Sequence, residues 1–182
     1  FNRYYRPGDH PLPTDETTVK MYHLGHKILT QAGYEHYEIS NYAQPGHQCR
    51  HNRVYWENRP YYGFGMGAAS YTQGKRFTRP RKTQEYYQWL KAGAVMDCPV
   101  TSANDILLET LMLGLRLAEG VSLNSLATKF GNYQVEKIQS CLQPFLERGW
   151  VKIFEDRLRF SDVDGFIFSN VMLAELFAKL AE

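Results

Sequence analysis

Trp150-Val151-Lys152-Ile153-Phe154-Glu155-Asp156-Arg157-Leu158-Arg159-Phe160 is the stretch on which the reading of the fold turns. Two short runs of apolar and cationic residues flank the polar pair Glu155-Asp156, so it predicts a small β-hairpin. Three helical patterns precede it. Ser102 caps the first, which runs through Ala118 with Ile106, Leu107, Thr110, Leu111, Leu113 and Leu117 inward and Gly120 just past its end. Ser122–Phe130 is a short second helix stopped by Gly131, and Tyr133–Arg148 is a third, bearing Val135, Ile138, Cys141, Leu142, Phe145 and Leu146. After the hairpin, Asp162 is expected to cap a final helix to Leu180. Three helices and a hairpin make a winged-helix pattern.

The chain before residue 100 reads differently. Residues 1–13 are expected to be irregular, because Pro7-Gly8 and Pro11-Leu12-Pro13 block regular structure. Thr14 is an N-cap, with Asp15 and Glu16 suiting the positive end of a helix dipole. Met21, Leu24, Ile28, Leu29 and Ala32 then form one apolar face, and Gly33 ends the helix. Tyr34–Ile39 alternates as a strand, giving the helix-then-strand unit of an α/β layer. Asn41–Gln48 reads as loop around Pro45-Gly46, and Tyr61–Tyr71 as a glycine-punctuated strand. Gln73-Gly74 is a hairpin turn, and Thr83–Ala92 a short helix.

Charge divides the chain in the same place. Residues 1–100 carry 13 Lys/Arg against 8 Asp/Glu, whereas residues 101–182 carry 8 against 11. All six histidines precede residue 52 and twelve of the thirteen tyrosines precede residue 88. Two domains are therefore expected, residues 1–98 and 99–182.

At 182 residues and 43% hydrophobic content the chain can bury a core, and no apolar run reaches the ~18–20 residues that span a bilayer. The first residue is Phe1 rather than Met, with no apolar signal core, so a soluble chain beginning inside something larger is expected. Cys49, Cys98 and Cys141 are odd in number and widely spaced, which predicts free thiols in a reducing cytoplasm. They supply neither a CxxC clip nor the ligands of an iron–sulfur cluster.

Several motifs carry two readings. A winged helix invites duplex DNA, yet the third helix balances Glu136 and Glu147 with Lys137 and Arg148. Phosphate neutralisation wants a basic face, so a packing module is the better reading. Lys75, Arg76, Arg79, Arg81 and Lys82 form either a solvated face or a clamp for an anion. Gly63, Gly65 and Gly67 do not follow GxGxxG; they either let a flat ligand lie close or serve packing. His47 and His51 would share one side of a helix, but no third metal ligand sits nearby. His51-Asn52-Arg53-Val54-Tyr55-Trp56 gathers an imidazole, an amide, a phenol and an indole, suited to an axial iron bond and macrocycle stacking, or to a structural histidine.

Three strings in order carry a resemblance: Tyr37-Glu38-Ile39-Ser40-Asn41-Tyr42-Ala43, His51-Asn52-x-x-Tyr55-Trp56, and Tyr61-Tyr62-Gly63-Phe64-Gly65-Met66-Gly67-Ala68. Together they resemble radical S-adenosylmethionine proteins similar to oxygen-independent coproporphyrinogen III oxidase, in their haem-chaperone branch. The resemblance continues through Glu109–Leu117 and Gly120-Val121. It implies the last helix and strands of a partial (β/α) barrel over residues 1–98, followed by a winged-helix-like, mainly helical domain. It also implies haem as ligand, with His51 as axial ligand, Asn52 orienting it, and Tyr55 and Trp56 shaping the pocket. Gly63, Gly65 and Gly67 would admit the flat ligand or a cofactor's edge, and Arg76 and Arg79 would meet propionates. Family members are about twice as long and hold a CxxxCxxC loop for a [4Fe-4S] cluster, which has no counterpart here. The cluster and S-adenosylmethionine are thus expected only in a longer protein. Haem and acceptor haemoproteins are the implied partners, and exposed barrel edges imply dimerisation. Two other readings stay open: an oxygen-independent coproporphyrinogen III dehydrogenase, and a non-catalytic winged-helix interaction module.

Overall fold

A computed structural model of the chain describes residues 12–96, 98 and 101–180. The expected irregular segment therefore lies, up to residue 11, outside the described residues. In chain order the elements are α1 (Asp15–Gln31), β1 (Glu35–Glu38), β2 (Asn41–Ala43), α2 (Arg50–Trp56), β3 (Ala69–Thr72), β4 (Lys75–Thr78), α3 (Thr83–Lys91) and α4 (Ala103–Gly114). They continue with β5 (Val121–Ser122), α5 (Leu123–Phe130), α6 (Asn132–Glu147), β6 (Val151–Phe154), β7 (Arg157–Phe160), α7 (Asp164–Ile167) and α8 (Ser169–Leu180). The chain divides into one unit of Phe1–Cys49 with Gly114–Glu182 and another of Arg50–Leu113. That partition does not follow the charge boundary at 98/99.

Backbone pairing explains why the front of the chain groups with its end. β1 pairs antiparallel with β2 on one edge. On the other, Ile39 N–H donates to Arg116 O (2.9 Å) and Ala118 N–H donates to Tyr37 O (3.0 Å). Residues 116–118 thus act as a further extended segment beside β1, and α4 stops at Gly114 instead of running to Ala118. β2, read as loop from the sequence, exists because it covers the free edge of β1.

α1 starts where expected, with Thr14 Oγ1 accepting from Thr17 N–H (3.2 Å). Its orientation is the surprise. Met21, Leu24 and Ile28, the expected inward face, are 61%, 58% and 55% exposed. Tyr22 and His26 turn toward β1 and β2 instead, Tyr22 OH donating to Ile39 O (2.9 Å) and His26 Nδ1 meeting Tyr42 OH (3.3 Å). Side chains with polar tips win this side because they can satisfy the groups that β1 and β2 present.

The remainder of this unit packs α5 and α6 on the sheet β5-β7-β6, with α8 against α6. Ile138, Leu142, Leu158, Met172 and Leu176 have essentially no exposed surface. Each such burial stabilises the fold by about 1.5–3 kcal/mol. The hairpin forms as read, with Glu155 at φ 51° in its turn. The final helix does not: it breaks at Phe168 into α7 and α8. Nor does Asp162 cap it in the expected way, since Ser161 Oγ accepts from Gly165 N–H (3.1 Å) while the Asp162 carboxylate reaches His36 (2.6 Å).

In the second unit, β3 and β4 form a hairpin through Gln73 (φ 51°) and Gly74 (φ 72°), as read. The expected strand over Tyr61–Tyr71 shrinks to Ala69–Thr72, with a single bridge from Tyr61 to Tyr71. Positive φ at Gly65 (88°) and Gly67 (72°) takes the intervening chain out of extended geometry, and Phe64 is left 84% exposed. Every strand pairing among the described residues is antiparallel. No helix among them is long and apolar enough to cross a membrane.

Candidate functional site

The His51–Trp56 string folds as α2, and the helix explains its spacing. Residues four apart stack on one side of a helix, and neighbours diverge by about 100°. His51 and Tyr55 therefore share one side, Asn52 and Trp56 the next. The rings of His51 and Tyr55 meet edge to face at 4.9 Å and 88°. Tyr55 in turn presents its edge to Tyr61 (4.6 Å, 69°). Asn52, one position on from His51, lies about 100° round the helix from it, and the ring beside the imidazole is that of Tyr55. His51 itself is exposed, and Asn52, Tyr55 and Trp56 are half-buried.

The far end of α2 is held by charge. Arg53 Nε donates to Glu57 Oε1 (2.6 Å), and Arg59 also pairs with Glu57. His47 lies in the turn before α2, donating its N–H to Gln44 O (2.9 Å). The helical alignment expected of His47 with His51 is thus not formed.

Arg76 has a different job from the one expected. Its Nε donates to Glu109 Oε1 (2.9 Å), Nη1 to Tyr61 OH (2.6 Å) and Nη2 to Asn58 Oδ1 (3.0 Å). Its guanidinium also lies over the Tyr71 ring at 4.8 Å. Asn58 Nδ2 closes the network on Glu109 Oε2 (3.2 Å). Next to it is a cleft of about 250 Å³ lined by Tyr71, Arg76, Asp105, Ile106 and Glu109, whose two carboxylates oppose an anionic guest. Arg76 is committed to holding its unit together. Arg79 donates to Ser70 Oγ (2.9 Å) and lies beside Phe77 and Trp89.

The three glycines also separate. A Cβ on Gly63 would sit 2.0 Å from Ala69 O, so this chain's own backbone fills the close approach there. A Cβ on Gly67 would make ordinary contact with Arg81, whereas Gly65 faces open space. Gly65 is the one of the three with room for a ligand. Sequence reasoning missed a second polar cluster, His26, His36 and Asp162, in the other unit. Its members come from separate elements, with Asp162 126 residues from His36, and no short motif joins them.

An iron–sulfur cluster does not fit this chain. Radical S-adenosylmethionine chemistry needs neighbouring thiolates on one cluster. Cys49 is exposed, Cys98 half-buried and Cys141 buried, each more than 40 residues from the next. Burial also pushes the Cys141 thiol above its ordinary pKa, which keeps it protonated.

Residues 101–163 match the HemN C-terminal domain. The whole chain aligns at 43% identity with the heme chaperone HemW of Synechocystis sp., covering 49% of that protein. Over 83% of the chain it is 31% identical to the heme chaperone HemW of Bacillus subtilis, covering 40% of it. It spans about half the length of the curated relatives it matches, or less. Among solved structures, the radical SAM coproporphyrinogen III oxidase HemN of Escherichia coli superposes with a TM-score of 0.70, over 96% of this chain and 43% of that one at 15% identity, which is likeness of fold. The chain belongs with these HemW relatives to the haem-chaperone branch of the coproporphyrinogen III oxidase-like family.

Proposed function

We propose that this chain is the haem-holding C-terminal part of a haem chaperone, which binds haem and passes it to acceptor haemoproteins. One observation carries the reading: His51 stands exposed on the first turn of α2, braced edge-on by Tyr55. A neutral imidazole held at the surface by a ring is a ready axial ligand for haem iron. Haem is cargo here, so the site has to release it, and an exposed ligand on a short helix suits release better than an enclosed cavity does. Trp56, one turn from Asn52, offers a flat face for the macrocycle, and Gly65 leaves space for its edge. Arg79 is the cation we assign to a propionate, and Arg76 is left to its network. The chain itself we assign to the cytoplasm, in keeping with its three free thiols.

Within the same reading, residues 1–98 supply the last helix and strands of a partial (β/α) barrel, and residues 99–182 a winged-helix-like module. The acidic balance of that module favours a protein partner over nucleic acid. A homodimer formed along the apolar stripe Met21, Leu24 and Ile28 fits the exposure of those residues.

Haemin titration followed by the Soret band tests the assignment. Wild-type chain is expected to give a saturable one-to-one band that His51→Ala loses. Superimposable titrations of the two proteins overturn His51 as the ligand.

A further inference from the structure

His26 on α1, His36 on β1 and Asp162 before α7 come together in the first unit, well apart in sequence from the His51–Trp56 string. Their ligand atoms all lie within 4.8 Å of one another. His36 Nδ1 is 2.6 Å from Asp162 Oδ1, and His26 Nε2 is 3.6 Å from Asp162 Oδ2. Two imidazoles and a carboxylate are a donor set suited to a borderline divalent cation.

The surroundings are built in the way metal-binding histidines require. A ligating imidazole is held by a partner on its other ring nitrogen, which fixes its tautomer and aim. His26 has Tyr42 OH on Nδ1 (3.3 Å), and His36 has Tyr22 OH near Nε2 (3.4 Å). Tyr22 OH donates its proton to Ile39 O (2.9 Å), so its oxygen is left to accept from His36 Nε2–H. His36 Nδ1 and the Asp162 carboxylate thus face each other across 2.6 Å, where a proton bridges them and a metal ion can take its place. The ring cannot swing away. It is stacked on Tyr42 (4.2 Å, 6°), its edge meets Phe166 (4.9 Å), and its side chain is 1% exposed. Asp162, by contrast, is half exposed, which gives a cation a way in and leaves room for water as a further ligand.

We propose that His26, His36 and Asp162 form a binding site for a divalent cation of the zinc type. A cation there ties α1, β1 and the segment leading into α7 together. The site stands independently of the haem reading.

Co²⁺ is the probe, because its visible absorption intensifies when imidazole and carboxylate ligands replace water in a low-coordinate site. The wild-type 182-residue chain is expected to bind one equivalent, and Zn²⁺ to displace it. His26→Ala and Asp162→Asn, each shown folded by circular dichroism, are expected to weaken binding roughly 100-fold, and Tyr42→Phe about tenfold, as loss of an outer partner does. His51→Ala is expected to titrate like wild type, which separates this site from the proposed haem ligand. Absence of a saturable one-to-one change in wild type overturns the proposal. So does wild-type-like binding by both His26→Ala and Asp162→Asn, or loss of binding on substituting His51 alone.

Discussion

His51 and Tyr55 stand one helical turn apart with their rings edge to face at 4.9 Å. The contact is made by the tyrosine's ring, since its edge continues on to Tyr61 at 4.6 Å. An aromatic pair of this kind contributes about 0.5–1.5 kcal/mol beyond its buried area. Tyr55→Phe is therefore expected to bind haemin like wild type, and Tyr55→Ala about three- to tenfold more weakly. Soret titrations of the two variants side by side decide it. Equal weakening in both would shift the role from the ring to the hydroxyl.

Arg76 joins Glu109, Tyr61 and Asn58 with three differently directed hydrogen bonds. A lysine ammonium cannot reproduce that fork or lie flat over Tyr71. Arg76→Lys is expected to lower stability by about 1–2 kcal/mol in spite of its conserved charge. In a double-mutant cycle with Glu109→Ala the coupling is expected at about 0.5–1 kcal/mol, the pair being partly exposed. Urea unfolding midpoints measure both. A Lys variant as stable as wild type would mean that charge alone does the work.

Local rules served where local interactions decide. Thr14 and Ser102 each accept the N–H three residues on, as expected of caps, and Gln73-Gly74 turns as its positive φ values allow. The reading failed where a distant partner competes. Asp162 looks like a helix cap until His36 takes its carboxylate, and Ala118 looks helical until Tyr37 claims its N–H. The apolar stripe of α1 pointed the wrong way because Tyr22 and His26 find hydrogen-bond partners on β1 and β2. At the candidate site the motif was legible and the long-range contacts were not: Tyr55 continues from His51 to Tyr61, and Arg76's engagement depends on Glu109, 33 residues away.

Glycines separate backbone strain from steric exclusion. At Gly120 (φ 65°) a Cβ would lie 2.1 Å from Leu158 O, in the strand that β5 must pair with. Gly65 has a similar positive φ, 88°, but nothing within 4 Å. Gly65→Ala is expected to cost about 1 kcal/mol, the backbone preference alone. Gly120→Ala is expected to cost about 3 kcal/mol or more, because β5 has to move off β7. Thermal melts of the two variants provide the comparison, and equal losses would show that the sheet yields freely at Val121.

Asp156 closes the hairpin turn onto the start of α5. Its Oδ2 accepts from Ser122 Oγ (2.5 Å) and its Oδ1 from Asn124 N–H (2.8 Å). These bonds, the Ser122 hydroxyl foremost, hold its carboxyl below the ordinary range, with Arg157 adding to the effect. A carboxyl whose folded pKa is depressed stabilises the fold above its unfolded value, roughly 3.9, and loses that contribution as pH falls through the folded one. Asp156→Asn is therefore expected to be less stable than wild type at neutral pH, with the gap closing as the pH is lowered below about 4. Urea midpoints for both proteins across that range make the test. A gap that stays constant down to the lowest pH would mean that the amide loses geometry, and that ionisation of Asp156 contributes nothing.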